Sequence, residues 1–109
     1  MSTTTTPSSP STTPRPLGTT YSKNGYHYKQ VIRDGDIAIF RQQSRSGVGC
    51  LAYEVIRIRV KPEIEIMGKV TPEREVAPAN EEWGLMGWTY PTLERAKAKM
   101  RELTDKRDA

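Results

Sequence analysis

Apolar and polar residues alternate most regularly over residues 53–61, YEVIRIRVK, where Ile56, Ile58 and Val60 share one parity and Arg57, Arg59 and Lys61 the other. Successive side chains of a strand point to opposite faces, so a strand here buries a β-branched row and displays three cations in a line. The parity changes upstream: Leu51, Tyr53 and Val55 are odd. Either a β-bulge near Val55-Ile56 reconciles the two sets, or the first half of the strand is buried on both sides. The whole strand is predicted over residues 50–61, the longest in the chain.

Two strands are predicted before it, over residues 26–33 and 36–43, joined by Asp34-Gly35. Asp-Gly between alternating segments predicts a two-residue type I′ hairpin. That loop sets Arg33 opposite Asp36, Ile32 opposite Ile37 and Gln30 opposite Ile39. Residues 44–49, SRSGVG, read as a flexible loop. Pro62 ends regular pairing or marks an edge. Ile64 and Ile66 keep the even parity, so the chain stays extended to Met67, turns at Gly68-Lys69 and returns over residues 69–76 as an edge strand limited by Pro72. Residues 77–82, APANEE, read as loop.

The pattern then changes period. In PTLERAKAKMREL, residues 91–103, Leu93, Ala96, Met100 and Leu103 fall at the spacing of one buried helical stripe. Thr92 suits the N-cap, with Glu94 facing the positive helix end; alternatively Pro91 is the first helical residue. The expected fold class is α+β: a small antiparallel sheet of three to four strands packed by one C-terminal helix. The helix covers one face, with Met100 and Leu103 against Ile56 and Ile58, and the other face stays open.

Composition sets the boundaries. With 109 residues there is room for one domain. Residues 1–20 are almost all Ser, Thr and Pro with no aromatic and one charge, Arg15, and cannot offset their ordering entropy. They are expected to be a disordered tail on a single domain over residues 21–109. The tail lacks the basic start and apolar stretch of a signal peptide. No apolar run approaches membrane-spanning length, and the lone Cys50 excludes an internal disulfide framework. An intracellular, cytoplasmic protein is expected (in the host cytoplasm if the chain is viral), with an O-glycosylated secreted stalk as the alternative use of such a tail.

Charge is uneven. Residues 23–61 carry eight basic and three acidic side chains, whereas residues 62–82 carry Lys69 and Arg74 against six glutamates. A basic half beside an acidic segment marks a polyanion site with an acidic flank, or two segments that pair across a sheet.

Gly87-Trp88-Thr89-Tyr90, then Thr92, Glu94 and Ala96, resembles the strand-to-helix junction of the plant ethylene-response-factor DNA-binding domain and of the arm-binding domains of phage tyrosine integrases. The resemblance spans about ten residues and implies a three-stranded sheet lying in a DNA major groove with its helix behind. The opening Gly-Val-Arg motif of the plant family is absent, and the acidic insertion has no counterpart there. The chain is also similar in kind to small bacteriophage-encoded proteins.

Catalytic signals are weak. His27 has no acidic or thiol neighbour at metal-ligand spacing, and Cys50 lacks a CxxC partner, so no metal and no cofactor are assigned. Ser46-Gly47-Val48-Gly49 lacks the length and lysine of a phosphate loop. The reading is a non-enzymatic nucleic-acid-binding module. Arg57, Arg59 and Lys61, helped by Lys29, Arg41 and Arg45, contact phosphates. The rival is a small protein-interaction or inhibitory accessory protein that works through an exposed strand edge or the Trp83 loop. Cations clustered opposite the helix favour the first, and cations bonded to the acidic segment favour the second. Neither reading involves a membrane, and neither specifies an oligomeric state.

Overall fold

The computed structural model describes residues 14–44, 46 and 49–109. The expected tail lies outside the described residues as far as residue 13, and so does Arg45 in the 44–49 loop. Residues 14–20, grouped with the tail by composition, take part in the fold. Arg15 exchanges backbone hydrogen bonds with Glu73 and Glu75, and Leu17 packs on a buried cluster.

The first hairpin joins β1 (Thr20–Lys23) to β2 (Tyr26–Asp34) through Asn24 and Gly25, whose φ values are 54° and 84°. Asn-Gly meets the demand of a type I′ turn for positive φ at both positions. The second joins β2 to β3 (Ile37–Gln43) with Asp34 opposite Ile37, so the loop is Gly35-Asp36. Only Gly35 has positive φ, 62°, which fits a type II′ turn with glycine first. The expected Asp34-Gly35 type I′ turn, with Arg33 opposite Asp36, is therefore corrected by one residue. Arg107 at the far end of the helix fastens this turn, reaching the carboxylates of both Asp34 and Asp36 and the Asp34 carbonyl. A register shift between Gln30 and Ile32 then changes the parity of β2. Tyr28 and Ile32 thereby join opposite faces of the sheet.

The predicted strand over residues 50–61 is interrupted. β4 (Cys50–Arg57) ends where the Ile58 amide donates to the Asp36 carbonyl, and β5 (Arg59–Lys61) leaves the main sheet. Beyond Pro62, β6 (Ile64–Ile66) and β7 (Lys69–Thr71) form a ribbon around Met67-Gly68, and β8 (Arg74–Val76) returns to pair with β5. A 3-10 turn at Asn80–Glu82 precedes β9 (Gly87–Tyr90) and the helix α1 (Leu93–Asp108). Thr92 is the N-cap, its Oγ1 accepting from the Arg95 amide at 3.2 Å.

The main sheet is antiparallel, in the order β1-β2-β3-β4-β9. Its centre is buried on both sides. Ile37, Ile39 and Val55 meet Ala96, Met100 and Leu103 of α1 on one face. Tyr28, Ala38, Phe40, Ile56 and Ile58 form a second cluster on the other, covered by Leu17, Tyr21, Ala77 and Trp83. Two expectations are corrected here. The helix packs on the odd row through Val55, not on Ile56 and Ile58, and the second face is not open. The cause is the return of β8, Ala77 and the Trp83 segment across that face. Neither account of the parity change holds as expected: no bulge falls at Val55-Ile56, where β4 pairs in continuous register with β3 and β9, and burial on both sides is confined to Glu54–Ile56, with Cys50 and Leu51 at the start of the strand exposed. Each large side chain buried there contributes roughly 1.5–3 kcal/mol.

Candidate functional site

The five described cations of the six read from the sequence do not form one face. Arg57 ends β4 on the helix side, beside Asp36, Trp88, Lys99 and Glu102, and its Nε is buried without a hydrogen-bond partner. Arg59 lies past the break at Ile58 and places Nη2 2.7 Å from Glu82 Oε1. Lys61 is exposed, opposite Arg74. Arg45 is outside the described residues.

Lys29 and Arg41 do come together. The registers of β2, β3, β4 and β9 align Lys29, Arg41, Tyr53 and Tyr90 in one row. Directly opposed residues share a face. Tyr53 and Tyr90 pack on the helix-side cluster, so the row lies on that side, near the start of α1. Arg41 Nε is also buried without a partner.

The acidic segment folds back on the basic stretch. Arg33 grips Glu75 with two hydrogen bonds of 2.9 and 2.7 Å, and the Leu17 amide donates to the same carboxylate at 2.8 Å. The Arg33 hydrogen bonds, helped by Leu17, hold the Glu75 carboxyl below the usual carboxylate range. Glu75 thus joins the sheet, the returning β8 and the residues before β1. Together with the Arg59–Glu82 contact, this is the cross-pairing that the uneven charge allowed.

A different site was not anticipated. On the face opposite α1, a cleft of about 230 Å³ is lined by Lys23, Tyr26, Tyr28, Gln42, Glu54 and Trp83. Tyr21 stacks on Tyr28 with centroids 4.8 Å apart, and Gln42 Nε2 donates to Tyr28 Oη at 2.9 Å. Trp83 is fixed by its Nε1 donating to Thr89 Oγ1 at 2.9 Å and by the bare Cα of Gly87, where a Cβ would come within 2.5 Å of the ring. Lys23 Nζ lies 5.2 Å from the Trp83 ring centroid. Glu54 is only 7% exposed, and burial pushes its carboxyl up, with the Lys23 charge partly opposing. Burial likewise raises the Tyr21 and Tyr28 hydroxyls. The signal in the sequence was a glutamate inside an otherwise apolar strand segment, Tyr53-Glu54-Val55-Ile56.

The third surface feature is apolar. Every residue from 59 to 70 is exposed, and the β6–β7 ribbon carries Ile64, Ile66, Met67 and Val70 in the open, with Met67 99% exposed at its tip.

His27 and Cys50 are not joined: His27 Nδ1 bonds Ser22 Oγ at 2.8 Å, and the exposed Cys50 thiol donates to the Ala52 carbonyl. Among the described residues there is no group of three or more His, Cys, Asp or Glu that could hold a metal ion. Among them, too, no helix is long and apolar enough to cross a membrane. Comparison with protein-family models, curated proteins and solved structures found no match.

Proposed function

We propose that this chain is a non-enzymatic protein-interaction module whose contact is the β6–β7 ribbon. The observation that carries the reading is the exposed apolar content of that ribbon: Ile64, Ile66, Met67 and Val70 on a two-stranded element that stands clear of the main sheet. Ile64 and Ile66 share one face of the ribbon, Val70 lies on the other beside Glu65, and Met67 stands at the tip, and exposed apolar side chains gathered on one element mark interaction surfaces. Among the described residues neither ribbon edge has a further paired strand, which suits addition of a partner's strand. Charge supports a protein ligand over a polyanion. Residues 61–73 carry Lys61 and Lys69 against Glu63, Glu65 and Glu73, a net negative stretch, and Arg33 and Arg59 are bonded to Glu75 and Glu82.

The test is a photo-crosslinking amino acid at position 66, with one at exposed Lys97 as control. Crosslinked protein, a second copy included, is expected from position 66 and not from position 97. The absence of any adduct from position 66 overturns the reading.

A second reading keeps a nucleic acid as the ligand and rests on the Lys29, Arg41, Tyr53 and Tyr90 row, since cations beside aromatic rings suit phosphates and stacked bases. It expects binding to duplex or single-stranded DNA or RNA at low salt. For duplex DNA, the Lys29→Gln/Arg41→Gln variant should lower the salt slope by about 1.8 if both residues contact phosphate. No binding at low salt removes this reading.

A further inference from the structure

The cleft opposite α1 combines features that the ribbon reading leaves unused. A carboxylate on an interior strand of a sheet is costly to bury unless it is paired. Glu54 is more than nine-tenths buried, yet among the described residues no side chain or amide hydrogen-bonds its carboxylate, and Lys23 acts on it only through space. The carboxylate lines the same cleft as Tyr26, Tyr28 and Trp83. The chain already brings one cation to this place, with the Lys23 ammonium over the Trp83 ring.

We propose that this cleft is a binding site for a guanidinium group, held by the Glu54 carboxylate and by the aromatic faces of Trp83 and Tyr26. A guanidinium is planar, offers two parallel N–H donors to one carboxylate, and stacks on aromatic rings. It is more weakly hydrated than an ammonium, so it loses less on entering a partly closed cleft. At about 230 Å³ the space is small beside the roughly 300–1,000 Å³ of sites for drug-sized ligands, which points to a single head group. The source is either a free alkylguanidine or the arginine side chain of a protein. The site is remote in sequence from the ribbon of residues 64–71 and does not depend on it. Lys23 is a competing cation at the mouth, carried on the short β1 strand beside the Asn24-Gly25 turn.

Titration calorimetry of the full chain decides the matter, with ethylguanidinium chloride, a capped Gly-Ser-Arg-Ser-Gly peptide and its Lys counterpart as probes. Saturable binding of ethylguanidinium is expected. Tighter binding of the Arg peptide identifies a protein side chain as the source, and equal or weaker binding identifies a free alkylguanidine. Glu54→Gln should weaken binding on the order of tenfold or more, because a hydrogen bond to a charged group is lost. It should do so without loss of melting temperature, which separates site loss from unfolding. Tyr26→Ala should weaken binding less. Lys23→Met should strengthen it by removing the competing charge. Binding should also fade in acid, as the Glu54 carboxylate is protonated. Three results overturn the proposal: no saturable heat with either guanidinium probe, unchanged affinity in Glu54→Gln, or weaker binding in Lys23→Met. Preference for the Lys peptide over the Arg peptide also overturns it, since the planar donor pair would then play no part.

Discussion

The even-numbered apolar row of residues 56–66 passes through two environments. Ile56 is fully buried and Ile58 is 6% exposed, whereas Val60, Ile64 and Ile66 are 49%, 46% and 60% exposed. Residue type and parity are the same throughout, so neither decides burial. Neighbours decide it. Around Ile56 the sheet has β3 on one side, β9 on the other, and Trp83 with Ala77 above. Around Ile66 there is only the partner strand of a two-stranded ribbon. A β-branched row is a capacity to be buried, and the chain uses it internally in the first half and leaves it on display in the second.

The largest effect should come from the doubly buried centre. Phe40 is fully buried and meets Tyr21 edge-on, with centroids 5.1 Å apart. Phe40→Ala should cost roughly 3–5 kcal/mol in urea denaturation. A cost below about 1 kcal/mol would mean that the second face is as open as the ribbon, and the contrast between the two regions would collapse.

A double-mutant cycle sharpens the same contrast across the sheet. Leu103→Ala should cost roughly 2–5 kcal/mol. Leu103 belongs with Val55 in the helix-side cluster, while Ile58 belongs to the other. Leu103→Ala should therefore couple to Val55→Ala by about 0.5–3 kcal/mol and add independently to Ile58→Ala. Coupling to Ile58 instead would restore the packing that the sequence suggested.

What the sequence made legible follows from local physics. The helix, its Thr92 cap and its Ala96, Met100 and Leu103 stripe needed only spacing and a capping hydroxyl. The strand limits at Pro62 and Pro72 followed from a missing amide donor. The rest depended on long-range partners. The Gly35-Asp36 loop is fastened by Arg107, more than seventy residues away. Ile58 leaves the strand to bond Asp36, and this splits the cationic row. The cleft exists because Trp83 returns over β4, so the lone glutamate of an apolar strand segment becomes part of a site only through a partner nearly thirty residues away. Tyr21-Ser22-Lys23-Asn24-Gly25 is the exception, since Asn-Gly between short β-prone segments was a local hairpin signal and went unread.

Two carboxylates extend the comparison to pH. Glu75, paired with Arg33 at the base of β8, has its folded pKa depressed by those hydrogen bonds. Its contribution is therefore present above the ordinary carboxylate value of about 4.3 and is lost as pH falls through the depressed value. Glu54 has its folded pKa raised by burial. Its contribution is present below the ordinary value and is lost as pH rises through the raised one. Glu75→Gln should thus lower the melting temperature at pH 7 and lose that effect in strong acid. Glu54→Gln should raise the melting temperature at pH 7 and have little effect in acid. Thermal melts from pH 3 to 8 check both, and equal signs at pH 7 would contradict the assigned environments.

The smallest expected effect on stability falls on the ribbon, and it is the sharpest break of the comparison. Ile66 and Met67 are 60% and 99% exposed, so Ile66→Ser/Met67→Ser removes little buried contact, all of it at Ile66. Surface changes of this kind usually stay within about 0.5 kcal/mol per site. The Met67-Gly68 turn, with φ values of 53° and 80° that fit type I′, is retained, because Gly68 is untouched and only residue 67 changes. The variant should melt with the wild type at low protein concentration. If the ribbon meets a second copy, the wild type alone should gain stability as its concentration rises, and the variant should not. If it meets a different protein, both should show flat concentration dependence, and crosslinking from a residue beside the ribbon should be lost in the variant. A clear stability loss at every concentration would show that these side chains are buried within the chain itself, and the exposed half of the apolar row would then be core like the first.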